Sequence, residues 1–126
     1  MKKFLISSCF VFAFANTSSA AITTGSYHCT GYDPIEEIEY TGYATVHKVG
    51  AVYQMSWDFG KKMVYEGIAL IHAEEDDILA VSFRNKSNPK KSGVKVYEID
   101  GDELKGNWVM FGHKTVANEL CKKVEE

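Results

Sequence analysis

The sequence predicts an all-β fold: an eight-stranded antiparallel up-and-down β-barrel closed by a disulfide between its first and last strands. Three observations support this prediction. Apolar and polar residues alternate along many short segments, and turn-forming residues such as Asp-Pro, Asp-Gly and Asn-Pro separate those segments. The two cysteines that follow residue 20 fall in the first and the last of these segments.

Eight segments have the composition of strands, and turn-forming residues lie between them. Alternation is clearest in the third segment, where Tyr53, Met55 and Trp57 share one face. The fourth contains "GIALI" and is apolar on both faces, but its length and its neighbours favour a strand over a helix. In chain order the predicted strands cover 24–33, 39–48, 52–59, 63–73, 77–83, 93–99, 103–111 and 114–123.

Cys29 and Cys121 predict that the sheet closes on itself. An open sheet would leave its outermost strands unpaired, and closure would make those two strands neighbours. A disulfide needs Cα atoms within about 7 Å, a distance that neighbouring strands provide. A metal-binding thiol pair is the alternative, but no second pair of ligands lies near either cysteine in the sequence.

The first twenty residues have the pattern of a secretory signal peptide. Two lysines precede the apolar run "FLISSCFVFAFA", and small residues follow it, which predicts cleavage after Ala20. Lipidation at Cys9 is the alternative, but it would leave an apolar remnant on the exported protein. Residues 21–126 then form one domain, expected to be a soluble monomer that is periplasmic or secreted. An oxidising compartment agrees with the expected disulfide.

The composition argues against several classes of function. The net charge of −3 disfavours nucleic-acid binding, and the apolar run is too short to span a membrane. No nucleophile elbow, phosphate-binding loop or His-Glu-x-x-His motif occurs. His28 and His47 lie on neighbouring predicted strands, but they have no third ligand. The sequence therefore predicts no enzyme, no cofactor and no metal site.

Charges separate between the two ends of the predicted barrel, because successive loops alternate between those ends. One end collects most of the acidic residues, in the segments 73–77 and 100–103 and near the C-terminus. The opposite end collects basic residues, which predicts a surface for an anionic partner. The alternative is that turns are simply where charges are solvated. The predicted partner-binding residues are Lys61, Lys62, Arg84, Lys86, Lys90, Lys91 and Lys114.

Aromatic residues on the predicted inner face give two further possibilities. Tyr53, Trp57, Tyr97 and Trp108 could line a pocket for a small apolar ligand. They could equally fill the interior, since a barrel of eight strands has room for packed side chains or for one small ligand.

Several short motifs resemble a group of small exported bacterial β-barrel proteins. Members of this group often carry a fibronectin-binding label and have an architecture like that of avidins and lipocalins. The similar stretches are "YTG" (40–42), "YQMSW" (53–57), "EGIAL" (66–70), "LAVSF" (79–83), "GVKVYEIDGDELKGNW" (93–108) and "NEL" (118–120). This chain differs by the segment "NKSNPKKS" before Gly93 and by its cysteine pair.

The resemblance implies a non-enzymatic barrel that binds a host or matrix protein. Two other hypotheses remain beside it. One is a carrier of a small apolar ligand, and the other is an inhibitor of lysozyme. The second follows from Tyr27-x-Cys29, which is similar to the opening of periplasmic lysozyme inhibitors, and from an acidic end that would attract a basic enzyme.

Overall fold

A computed structural model of the chain describes residue 22 and residues 24–125. The predicted signal peptide and its cleavage site lie outside the described residues. No helix among these residues is long and apolar enough to cross a membrane.

Eight antiparallel strands make up the fold, in agreement with the prediction. The predicted boundaries are close to those observed, except that the last strand begins later than residue 114. The strands are β1 (Gly25–Asp33), β2 (Ile38–Val49), β3 (Val52–Asp58), β4 (Val64–Ile71), β5 (Ile78–Asn85), β6 (Ser92–Asp100), β7 (Glu103–Met110) and β8 (Ala117–Lys123).

The sheet closes through β1 and β8, as the cysteine positions predict. Each strand pairs with its neighbours in sequence, and β1 pairs with β8 as well as with β2. Cys29 and Cys121 are direct partners in the register between β1 and β8, with Cα atoms 4.0 Å apart, and they form a disulfide. The predicted closed barrel and its disulfide are therefore confirmed.

Side chains alternate between the interior and the outer wall along every strand. The interior has room for large rings because glycines occupy inward positions beside them. A Cβ atom at Gly31 would lie 2.3 Å from the Tyr40 hydroxyl, and one at Gly106 would lie 2.7 Å from the Tyr97 ring. Glycine is required at these positions because any larger residue would displace the ring beside it.

The two ends of the barrel differ in how far they are filled. We call one the mouth end, formed by the loops 34–37, 59–63, 86–91 and 111–116. The opposite end carries the shorter turns 50–51 and 101–102 and the loop 72–77. Ile22 precedes β1 at this opposite end and is buried as part of the hydrophobic core. The opposite end is therefore packed, whereas the mouth end contains the cavity described below.

The outer wall carries an apolar area across β4, β5 and β6. Ile68 and Leu70 point outward from β4, and Val94 and Val96 point outward from β6. The "GIALI" segment is thus a strand with Ala69 inside, which explains why both of its faces are apolar.

Candidate functional site

A buried ion pair lies inside the barrel below the mouth end. The Lys95 ammonium is 3.0 Å from Oε1 and 3.2 Å from Oε2 of Glu119. The two side chains are 5% and 0% exposed, respectively. Burying two charges is costly unless each is paired and fully hydrogen-bonded, so the surroundings of this pair decide whether it is tolerated.

Two hydrogen-bonded chains lead from the tryptophans to this one carboxylate. In the first, the Trp57 indole donates to the Tyr97 hydroxyl at 3.0 Å, and Tyr97 donates to Oε2 of Glu119. In the second, the Trp108 indole donates to the Tyr40 hydroxyl at 2.9 Å, and Tyr40 donates to Oε1 at 2.8 Å. The carboxylate thus accepts from both tyrosines and from the lysine, which satisfies both of its oxygens.

The lysine is also stabilised by aromatic rings. Its ammonium lies 4.4 Å from the centre of the Trp57 ring and 5.2 Å from that of Phe83. A cation over a ring face is attracted by the ring quadrupole, and the attraction is larger where water is excluded. The two carboxylate oxygens and these rings together form the environment of a cation that is held inside the fold.

Burial shifts the pKa values of this cluster. Desolvation lowers the pKa of Lys95, opposed by the charge and hydrogen bonds of Glu119. Desolvation raises the pKa values of Tyr40 and Tyr97, and the negative charge of Glu119 adds to both shifts. Both hydroxyls therefore stay protonated and continue to donate to the carboxylate well above neutral pH.

Glu119 points into the barrel because of its spacing along β8 from the disulfide-bonded Cys121. It lies two residues before Cys121 on β8, so both side chains share the inner face. Its Oε2 atom is 3.3 Å from the Cys121 sulfur, which carries no hydrogen because it is bonded to Cys29. The atoms of Cys29, Glu119 and Cys121 that could in principle bind a metal, two sulfurs and a carboxylate oxygen, lie within 4.8 Å of one another. Because the sulfurs are joined and the carboxylate is fully bonded, they do not form a metal site in this state.

Above the ion pair, five aromatic side chains form a closed ring around the inside of the mouth end. We call it the aromatic ring of the mouth. Neighbouring ring centres are separated by 4.6 to 6.4 Å, and neighbouring planes are inclined to one another by 55 to 83°. Because neighbouring rings are inclined to one another, the five rings can enclose a space between them. In order around the circuit the residues are Tyr40, Phe59, Tyr65, Phe83 and Trp108.

A small cavity lies within this ring. Its volume is about 30 Å³, and it is lined by the aromatic ring together with Met63, Met110, Lys95, Glu119 and Asp33. A space of this size holds one or two water molecules. Pockets for drug-sized ligands have volumes of about 300 Å³ or more, so the cavity admits the end of a molecule rather than a whole one.

The four aromatic residues predicted to line a pocket have different positions. Tyr53, Trp57 and Tyr97 are buried in the core, where the last two support Glu119. Trp108 is half-buried and lines the cavity. Three of the four residues therefore fill the interior, and Trp108 lines the cavity.

Exposed cations surround the mouth. Lys61 and Lys62 lie in one loop, and three more lysines lie in the loop 86–91. Arg84 differs, because its side chain lies on the outer wall and pairs with Glu66 at 2.8 Å. The lysines exposed on the mouth loops are Lys61, Lys62, Lys86, Lys90, Lys91 and Lys114.

Exposed apolar side chains lie among these lysines. Phe111 is 86% exposed and Val116 is 62% exposed, and both lie in the loop between β7 and β8. Ile35 adds a third apolar side chain from the loop between β1 and β2. The loops of the mouth end thus carry exposed apolar side chains as well as lysines.

Side chains at the strand ends hold three of the mouth loops in place. Asp33 accepts hydrogen bonds from the backbone amides of Ile35 and Glu36, and Asp58 accepts one from Gly60. Asn85 is buried, accepts from two amides of its own loop and donates to the carbonyl of Lys62 at 2.9 Å. Turns of this kind fix the geometry of the loops.

Neither the ion pair nor the aromatic ring was predicted from the sequence. Lys95 lies between Val94 and Val96, and each phase of the segment 93–99 contains two apolar residues, so a count of apolar residues alone does not place the lysine inside. A signal was nevertheless present. Glu119 is in phase with Cys121, and Lys95 is in phase with Tyr97.

Comparison with known proteins adds no relative: no family model, curated protein or solved structure matches this chain. The resemblance to fibronectin-binding barrels remains a prediction.

Proposed function

We propose that the protein is an exported, non-enzymatic binding protein that docks an acidic partner protein through its mouth end. The observation that supports this most is the exposure of Phe111 among six lysines on the loops of one barrel end. Apolar anchors surrounded by charges are the usual anatomy of a protein interface.

Charge asymmetry supports the choice of end. Glu74, Glu75 and Asp76 are exposed in a loop of the opposite end, far from the lysines. An acidic partner would be attracted to the mouth end and repelled by the other. Because the mouth loops are held by Asp33, Asp58 and Asn85, docking would need little ordering of the backbone.

The polar groups below the aromatic ring of the mouth already have hydrogen-bond partners, which supports a non-enzymatic role. Glu119 and the two tyrosine hydroxyls that bond to it are engaged with one another, so proton transfer to a substrate would first break those bonds. Export is supported by the disulfide, since such bonds persist in oxidising compartments.

A carrier of a small apolar ligand is the second candidate, supported by the aromatic ring of the mouth. The cavity volume of about 30 Å³ argues against it, because an enclosed ligand would need a space roughly ten times larger. Inhibition of lysozyme through the acidic end stays a prediction that a direct activity assay can test.

A matched pair of charge variants tests the proposed function. The mouth-end variant carries Lys86→Glu, Lys90→Glu and Lys91→Glu. The control carries the same charge change away from the mouth, through Lys48→Glu, Lys105→Glu and Lys122→Glu. Both variants and the wild type are immobilised, exposed to host extracellular extract and to purified fibronectin, and the bound proteins are quantified by mass spectrometry.

The expected result is an acidic protein that wild type and control retain and that the mouth-end variant loses by about tenfold or more. Equal retention by all three baits, or equal loss from both variants, would contradict a mouth-end interface. Phe111→Ser should lower retention in the same way without changing the melting temperature, because the side chain contributes little to the core.

A further inference from the structure

The aromatic ring of the mouth lies at the centre of the lysine-bearing loops. Its five rings are joined in a closed circuit, and Met63 and Met110 line the space inside. A partner docked on these loops would therefore cover the aromatic ring of the mouth.

We propose that this ring is an anchor pocket that receives the end of one apolar side chain of the partner, while the rest of that side chain packs against the half-buried rings at the opening and the partner's carboxylates stay outside at the lysines. The proposal rests on the proposed function and adds the chemistry that the partner must present. It also fixes an orientation, with the apolar group inside and the negative charge at the rim.

Saturation of the polar groups below the ring explains why an apolar group should enter. The Lys95 ammonium is bonded to both oxygens of Glu119, and Tyr40 both donates to that carboxylate and accepts from Trp108. A charged group that entered would lose water and meet a floor whose own charges are already paired, and an anion would also face the Asp33 carboxylate, which lines the cavity and accepts from the amides of Ile35 and Glu36. An apolar group loses no hydrogen bond and gains contact with the aromatic walls.

The size and openness of the pocket explain why the group should belong to a protein. The ring side chains Tyr40, Phe59, Tyr65 and Trp108 are only half-buried, so the pocket opens at the end of the barrel. A free ligand in so shallow a space would remain largely in water. A side chain inserted from a docked surface would be enclosed, because the surrounding surface excludes water.

Charge around the rim specifies the neighbours of the anchor. Three of the four mouth loops carry exposed lysines, whereas Glu36 and Glu37 lie in the fourth loop, next to Asp33, which lines the cavity. An apolar residue flanked by aspartate or glutamate complements this distribution.

Three short capped peptides test the proposal. They share an acidic sequence and differ only in the central residue, which is phenylalanine, alanine or lysine. The readout is the methyl resonances of the methionines in the wild-type protein. Met63 and Met110 line the pocket, whereas Met55 is 3% exposed in the core and is the internal control.

We expect the phenylalanine peptide to shift Met63 and Met110, to leave Met55 in place and to bind about tenfold or more tightly than its alanine twin. In the mouth-end charge variant both peptides should weaken while the ratio between them persists. Met110→Trp should fill the pocket and remove the preference for phenylalanine. Met63→Phe is a milder second variant with the same expected effect.

Several outcomes would overturn the anchor pocket. They are equal affinity of the phenylalanine and alanine peptides, no shift of Met63 or Met110 at any soluble concentration, and tighter binding of the lysine peptide, which would indicate a cation cage. Strong binding of free decanoate would indicate a small-ligand site. None of these outcomes by itself contradicts the proposed function, which fails if the three baits retain the partner equally or if both charge variants lose it equally.

Discussion

The Lys95 ammonium and the Glu119 carboxylate form an ion pair inside the barrel, 3.0 Å apart, with almost no exposure to solvent. Two tyrosines complete the hydrogen bonding of the carboxylate, and two indoles support the tyrosines. Because every member depends on the others, removing one partner should cost far more than removing a surface ion pair.

Glu119→Gln should destabilise the fold by about 3–5 kcal/mol, because the Lys95 ammonium would remain buried without a counter-charge. Urea denaturation measures this loss. The control, Glu66→Gln, breaks the outer-wall pair with Arg84 and should cost less than about 1 kcal/mol. Adding Lys95→Met to Glu119→Gln should restore part of the stability. If Glu119→Gln and Glu66→Gln lowered the free energy of unfolding by similar amounts, the role given to the buried pair would be contradicted.

The free energy of unfolding should fall as the pH rises above about 10. Burial raises the pKa values of Tyr40 and Tyr97 above their ordinary value of 10.0, so the unfolded chain loses these protons first. Lys95 acts in the opposite direction. Its folded pKa lies below the ordinary 10.5, so it adds stability as the pH rises from its folded pKa to 10.5 and adds no further change above that.

Tyr40→Phe isolates the tyrosine contribution to this pH dependence. The variant should decline less steeply than wild type above about pH 10.5, by up to about 1.4 kcal/mol for each pH unit. Denaturation curves at several alkaline pH values measure the two slopes. At neutral pH the two proteins should also differ in stability, because Tyr40→Phe removes hydrogen bonds, and this difference does not test the prediction. Equal slopes of the free energy of unfolding against pH in wild type and variant would contradict it.

Replacing Cys29 and Cys121 by alanine should lower the free energy of unfolding by about 4–5 kcal/mol. The disulfide joins residues 92 positions apart, and the entropy lost by an unfolded chain increases with the length of the closed loop. Urea denaturation of the oxidised wild type and of the variant measures the difference. Wild type in strong reductant should approach the variant, and an oxidised wild type with two free thiols would disprove the bond.

Gly31→Ala should destabilise the fold by about 1–3 kcal/mol, because its Cβ would lie 2.3 Å from the Tyr40 hydroxyl and 2.8 Å from the Asn118 carbonyl. Displacing Tyr40 would also free the Trp108 indole, so tryptophan fluorescence should change together with the melting temperature. The control is Gly50→Asn, at an open turn with φ of +62° that asparagine tolerates. Equal stability of the two variants would contradict the close packing inferred at Gly31.

Much of the architecture could be predicted from the sequence, because each strand carries its own information. Alternation identifies strands such as 52–59, turn residues end them, and Cys29 and Cys121 require the outermost strands to meet. The start of the last strand was placed too early, at residue 114. Pairing with β7 and β1 begins only at residues 117 and 118, because the preceding residues belong to the loop of the mouth end.

The candidate site was harder to predict, because it depends on which face of each strand turns inward. In "GVKVYEI" both phases contain two apolar residues, so the pattern alone does not decide between Val94 and Lys95. The choice is made by the ring of Trp57 and by the carboxylate of Glu119, which come from distant parts of the sequence. The basic loops were predictable, since they depend only on loop order.

Closure of the barrel also determines how another protein can recognise this one. Every described strand has a hydrogen-bonded neighbour on each side, so the sheet has no open edge strand to which a visiting peptide could add along its full length as a ninth strand, although residues 38–42 of β2 pair with β1 and not with β3. A partner protein would therefore have to be recognised mainly by side chains and by the loop backbone at the barrel ends. It should depend on what a partner presents at its surface and not on its ability to adopt an extended conformation.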